Sequence, residues 1–297
     1  MAITLILLPD FALILFGYLL RRLDYFSGEF WLGLEKFIYF VLFPPLLFRA
    51  LAGREIDIQA SLPMLLAGIG FTTAGIALGY LARYLCRLQH ASFASGIQCA
   101  FRFNSYVGFA VIGSIDGQAG IAAIALLFGL MIPLVNVVSV SMLARHSQQS
   151  MWRELASNPL ILGIIVGVSS SLLGFQPPQW LMHALGPLAD AALPLGLMTV
   201  GAGLRFTEWQ RQPGLIIYWS SVKLLLVPAV AALLASLLPL GEVQRHAVMV
   251  MATLPAATSS YILAVRMGGD GQLAAALVTA TTLAAMLTMP LCLSLAL

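Results

Sequence analysis

Two short stretches hold most of the chemistry this sequence offers. In FRFNSYVG, residues 101–108, Arg102, Asn104, Ser105 and Gly108 fall together. In MATLPAATSSYILAV, residues 251–265, Pro255 is followed by Thr258, Ser259 and Ser260. A guanidinium presents a planar fork of donors that suits a carboxylate. The amide and the hydroxyls add neutral hydrogen bonds. Pro255 has no N–H and its ring clashes with the carbonyl four residues back, so a helix running through it kinks or unwinds. The first stretch has no proline, and its break rests on Asn104, Ser105 and Gly108. If both helices break and cross there, their new N-termini bring partial positive charge to one point. That combination describes a site for a small organic anion. The plainer reading makes Arg102 a bonding partner for carbonyls left open by the break, and the second stretch a proline kink braced by hydroxyls. An arginine at mid-membrane depth costs about 2.5–3.5 kcal/mol on the insertion scale, which favours a function.

The elements that position these residues are apolar. Of 297 residues 60% are hydrophobic and 9% charged, against about 25% charged in a soluble domain. So few charges cannot shield that much apolar surface from water, and the solvent must be lipid. The net charge of +3 does not suggest nucleic acid as a partner. Cys86, Cys99 and Cys292 form no CxxC pair or disulfide framework and read as packing residues. The N-terminal apolar run lacks a basic leader and a small-residue cleavage site, and reads as a retained first span.

Apolar runs of spanning length fall at about residues 3–20, 31–51, 61–82, 92–113, 119–143, 158–174, 187–204, 214–237, 245–265 and 272–296. Backbone in lipid must bond internally, so these are predicted helices, giving an all-α membrane protein of ten spans. Arg21, Arg22, Arg83, Arg87, Arg145, Arg153, Arg205, Arg211 and Arg266 follow odd-numbered spans, whereas Arg49, Arg54 and Arg245 lie on the opposite face. The excess places the odd loops in the cytoplasm and both termini outside. Lys36, Arg102 and Lys223 fall within spans.

The halves echo each other. Pro9, Gly17, Pro44, Gly53 and Pro63 recur 150 positions on as Pro159, Gly167, Pro194, Gly203 and Pro213, and DGQ at Asp116 returns at Asp270. Residues 1–145 and 146–297 read as two five-span repeats. An odd span number makes the second enter the membrane inverted, an arrangement found in secondary transporters, with substrate held at the midplane by discontinuous helices. Spans 4 and 9 are the broken pair.

Other polar residues carry less. A buried lysine can release its proton, so Lys223 is a candidate for coupling. Asp190, placed near the start of span 7, is a second candidate, with a helix-terminus role as the plainer reading. Asp10 and the Glu35–Lys36 pair are ascribed to interfacial solvation, and Asp116 and Asp270 to structural turns. Gly75–Gly79 and Gly163–Gly167 have GxxxG spacing, which leaves a homodimer open. The four histidines are scattered, and no HExxH, GxSxG or Walker loop occurs. No metal site or cofactor is expected beyond a coupling ion, and no enzyme.

The stretches LLPDFALILFGYLLRR, FVLFPPLLFRALA, FRFNSYVGFAVIGSIDG, SNPLILGIIVGV, ATLPAATSSYILAVRMGGD and TATTLAAMLTMPL resemble, in order, the landmarks of the auxin efflux carrier family in its compact bacterial form. Asp10 departs from the pattern, which has an apolar residue there. The resemblance implies a scaffold of spans 1, 2, 6 and 7 and a transport unit of spans 3–5 and 8–10 that moves like an elevator. It places Asn104 and its neighbours in the first break and Pro255 in the second. It implies a carrier of malonate-like or other carboxylates, or of auxin-like acids, in the bacterial inner membrane. Driving force is a proton gradient or the membrane potential. The related bile acid symporters suggest sodium instead, although the spans lack a carboxylate-rich cluster for two sodium ions. An anion channel is the lesser alternative, and the lipid bilayer and the anion are the expected partners.

Overall fold

A computed structural model describes residues 2–54, 57–85, 88–143, 158–206 and 212–296. The described residues are helical, with no strand among them. Arg87, Arg145, Arg153, Arg211 and Cys86, named above, lie outside them.

Helix α1 (Ala2–Arg22) is followed by α2 (Gly28–Phe37), a wider turn at Ile38–Leu42, and α3 (Phe43–Leu51). Then come α4 (Ile58–Tyr80), α5 (Ala82–Leu85), α6 (His90–Phe101) and α7 (Ser105–Leu143). Helices α8 (Pro159–Leu172), α9 (Gln179–Ala202) and α10 (Pro213–Ser221) lead to a second wide turn at Val222–Leu226. The chain closes with α11 (Val227–Leu237), α12 (Glu242–Thr253), α13 (Ser259–Arg266) and α14 (Gly271–Ala296).

Local chemistry sets these ends. Ser27 accepts from Phe30 N and Asp57 from Ala60 N. Asn158 accepts from the amides of Leu160 and Ile161, ahead of Pro159 at the first helical position, as an N-cap does. The wide turns precede prolines. Pro44, Pro45 and Pro228 cannot donate to carbonyls four residues back, and the ladder slips by one residue: Phe43 N bonds Ile38 O, and Val227 N bonds Val222 O.

Seven stretches among the described residues are long and apolar enough to cross a membrane: Thr4–Arg22, Gly28–Leu51, Gln59–Tyr84, His90–Leu143, Gln179–Ala202, Pro213–Leu237 and Gly271–Ala296. The 54 residues of His90–Leu143 would reach about 80 Å if straight, more than twice a hydrocarbon core of about 30 Å. They are interrupted at residues 102–104 and bent at Gly117, with φ 56° and ψ −137°. Leu5, Leu8, Phe16, Phe40, Leu233 and Leu287 stand exposed, a lipid-facing apolar surface.

One expected boundary is wrong. The stretch predicted at residues 187–204 begins at Gln179, because Pro178 serves as its N-cap and Pro187 is absorbed inside the helix. Asp190 therefore lies in mid-helix, not near the start. Glu35 and Lys36 likewise fall well inside Gly28–Leu51.

Glycines set the close contacts. A Cβ on Gly17 would run into the Met198 backbone and one on Gly201 into that of Ile14, so α1 and α9 touch main chain to main chain. Gly75 and Gly79 face Ala100 and Ile97 of α6, and Gly163 and Gly167 face Pro44, Leu47 and Leu51 of α3. Both GxxxG pairs are thus used within the chain.

Candidate functional site

Helix α6 stops at Phe101. Arg102 turns extended, with φ −70° and ψ 150°, while its amide still bonds Gln98 O at 2.9 Å. Helix α7 restarts at Ser105 because Asn104 caps it: Asn104 Oδ1 accepts from Tyr106 N at 3.1 Å and Val107 N at 3.4 Å. In the second stretch α12 stops at Thr253, residues 254–257 are non-helical, and α13 restarts at Ser259. Both sequence-predicted breaks are present. They meet: Asn104 N donates to Pro255 O at 3.0 Å. At the same point Arg102 Nη2 donates to Ser259 Oγ at 2.9 Å and Gln98 Nε2 to Ser260 O at 3.2 Å.

Two N-termini, of α7 and α13, therefore start at one crossing beside a guanidinium that is 7% exposed. Asn104 is 2% exposed, and its Nδ2 has no acceptor among the described residues. A buried donor without an acceptor costs about 1–3 kcal/mol. An incoming carboxylate oxygen would remove that cost.

The remaining predicted residues are placed unequally. Ser105 and Thr258 are half-buried, and Ser259 is exposed. Gly108 faces protein, since a Cβ there would lie 2.7 Å from Phe128 Cζ and 2.9 Å from Leu254 Cδ1. It lets α7 pass close to the second break. Lys223 is 1% exposed in the Val222–Leu226 turn, with no carboxylate of the described residues within 4 Å. Asp190 is away from the crossing, paired with Arg49 Nη1 at 2.8 Å, and its side chain is 72% exposed.

Sequence reasoning missed three groups. Thr281 on α14 accepts from Ala256 N at 3.1 Å and donates to Leu277 O at 2.7 Å, so it holds the non-helical segment in place. Thr279 accepts from Arg205 N at 2.9 Å. Gln98, one turn before the break, ties α6 to α13. The cluster of Thr279, Thr281 and Thr282 in an apolar helix was the available signal.

Two clefts are present, and the larger reaches the second break at Thr258. The larger, about 500 Å³, is bounded by Arg21, Trp31 and Glu35 on one wall and by Arg205, Thr258 and Tyr261 on the other. The Arg205 guanidinium sits 4.4 Å from the centre of the Tyr261 ring and donates to its hydroxyl at 3.0 Å. Two arginines against one glutamate make this mouth attractive to anions. The smaller cleft, about 250 Å³, is lined by Asp10, Ser114 and Gln118 with apolar neighbours from α7 and α9.

The profile of the family described as "Membrane transport protein" matches residues 135–293. A protein of Rhizobium meliloti (strain 1021) named "Putative malonate transporter" is 28% identical over 298 residues, covering 96% of this chain and 93% of that one. An "Uncharacterized transporter" of Methanothermobacter thermautotrophicus is 22% identical over 299 residues, covering 98% and 97%. The chain, an all-helical multi-pass membrane protein, thus belongs to the membrane transport protein family, the auxin efflux carriers, and is a transporter and not an enzyme.

Proposed function

We propose that the protein is a secondary transporter of a small organic anion, malonate-like in size and charge. The observation that carries this reading is the crossing: two interrupted helices joined by Asn104 N and Pro255 O, with Arg102 and an unsatisfied Asn104 amide beside two helix N-termini. Such an arrangement is built to receive negative charge. Arg102, Asn104, Ser105, Thr258, Ser259 and Ser260 supply the donors, and Gly108 and Pro255 shape the backbone. The malonate name of the Rhizobium relative supports a carboxylate substrate. An auxin-like acid is the larger alternative.

Ten spans in two inverted five-span repeats, residues 1–145 and 146–297, form the working architecture. The interruptions at residues 102–104 and 254–257 lie at matching places in the two halves. The clefts support an elevator motion. One is walled by α1, α2 and α9 against α13 and α14, the other by α1 and α9 against α7. Both lie where a scaffold of spans 1, 2, 6 and 7 would meet a moving unit. Sliding that unit would expose the crossing first to one cleft and then to the other. The membrane is a bacterial inner membrane with both termini outside. Driving force is a proton gradient or the membrane potential, with a sodium-driven, bile-acid-symporter-like carrier as the alternative. Lys223, sealed among apolar neighbours, is the candidate for proton coupling. Asp190, already engaged with Arg49 on an exposed face, is not.

Proteoliposomes loaded with unlabelled malonate and challenged with labelled malonate test the reading. Saturable counterflow without measurable single-channel current is the expected outcome. Ohmic anion current would make the protein a channel instead.

A further inference from the structure

Asp10 stands inside α1 between Leu7, Leu8, Phe11 and Leu13. Its carboxylate accepts from Ser114 Oγ of α7 at 3.3 Å. No Lys, Arg or His of the described residues comes within 4 Å of it. An ionised carboxylate without a countercharge is costly at such a position, so it takes up a proton or a cation.

The surroundings supply the rest of a cation site. Asp10, Ser114 and Gln118 line the same cleft of about 250 Å³. Gln118 Oε1 is buried there with no donor among the described residues. Between Ser114 and Gln118 the chain bends at Gly117, which also lines the cleft, so the first part of α7 ends beside it with the partial negative charge of a helix C-terminus. Leu13, Ile121 and Leu193 form apolar walls, which strengthen any charge interaction inside. Carboxylate, hydroxyl and amide oxygens are hard ligands, unsuited to thiophilic metals. A single carboxylate is too little charge for a divalent ion, which draws on more anionic oxygens.

We propose that Asp10, Ser114 and Gln118 form a binding site for a sodium-class monovalent cation that bridges α1 and α7. The binding follows from the cleft alone. Its consequence rests on the carrier reading: α1 belongs to the scaffold and α7 to the moving unit, so the cation favours one position of the unit over the other. A ligand with different affinities for two states shifts their balance, so an occupied site would favour the sodium-driven alternative over proton coupling.

The test is the thermal midpoint of the purified protein, titrated with sodium chloride against choline chloride at matched ionic strength and neutral pH. The wild-type midpoint rises with sodium and saturates, and Asp10→Asn does not respond. Gln118→Leu raises the half-saturating sodium concentration about tenfold, the loss of one good ligand contact. If Asp10→Asn fails to fold, Ser114→Ala and Gln118→Leu carry the comparison. A wild-type midpoint indifferent to sodium, or an unchanged sodium response in these variants, overturns the site. A midpoint that answers only to acid makes Asp10 a proton site and also overturns it. A sodium response in a protein that moves no anion would instead sink the carrier reading and leave the site standing.

Discussion

His246 Nδ1 lies 2.9 Å from Asp116 Oδ2, tying the start of α12 to the bend that ends the first part of α7. At the other end of the crossing pair, Ser92 Oγ donates to Asp270 Oδ2 at 2.8 Å. Asp116 and Asp270 are 154 positions apart, and so are Ser92 and His246. The two clasps thus match each other at one spacing, as the proposed repeat would have it. Both His246 and Asp116 have side chains 14% exposed. Removing one partner leaves the other half-buried and unpaired. Asp116→Ala is expected to cost about 1–3 kcal/mol, read as a lowered thermal midpoint. Asp270→Ala should cost at least as much, since Asp270 Oδ1 also accepts from Leu273 N at 3.0 Å as a cap. Equal midpoints in wild type and Asp116→Ala would mean that the clasp holds nothing.

Arg102 bears on the substrate directly. Its Nη2 bond to Ser259 joins the two breaks, so the test must separate anchoring from recognition. Arg102→Ala is expected to abolish labelled-malonate counterflow while the protein stays monodisperse in detergent. Arg102→Lys keeps the charge but loses the fork, and is expected to leave no more than about a tenth of wild-type counterflow at low malonate, the worth of one charge-assisted hydrogen bond. Near-normal counterflow by the alanine variant would remove Arg102 from the site.

The broken helices were legible because their causes are local. Pro255 cannot continue the ladder, and Asn104 caps whatever follows it. The crossing was legible only in outline, because nothing local says that Asn104 N bonds Pro255 O across the fold. Thr281 escaped notice because a threonine in an apolar helix ordinarily bonds its own backbone, as this one also does toward Leu277. His246 and Asp116 are 130 residues apart, and their pairing has no sequence signature. The start of α9 was misplaced because Pro177, Pro178, Trp180 and His183 look like loop until Pro178 is seen to cap the helix. Asp10 was dismissed as interfacial, since its lack of a countercharge depends on which helices surround it.

Thr281 offers a test of how the second break is held. Its hydroxyl is the acceptor for Ala256 N, and both residues are fully buried. Thr281→Val keeps the shape and deletes the acceptor. A buried amide left unsatisfied costs about 1–3 kcal/mol, so the thermal midpoint should fall. Thr281→Ser restores the oxygen and should recover most of the loss. If valine and serine behave alike, the hydroxyl does not support the break.

Orientation is tested at exposed arginines on opposite sides. Arg266 ends α13 and Arg245 lies in the first turn of α12, and both are exposed. The stretch between them is interrupted only at residues 254–257, and the proposed ten-span architecture puts their ends on opposite sides of the bilayer. The proposed orientation, drawn from the excess of Arg after odd spans, predicts Arg266 in the cytoplasm. With Cys99 and Cys292 replaced by alanine and Cys86 by serine, Arg245→Cys should react with a membrane-impermeant maleimide in intact cells. Arg266→Cys should react only after the membrane is opened. The reverse pattern would invert the proposed topology.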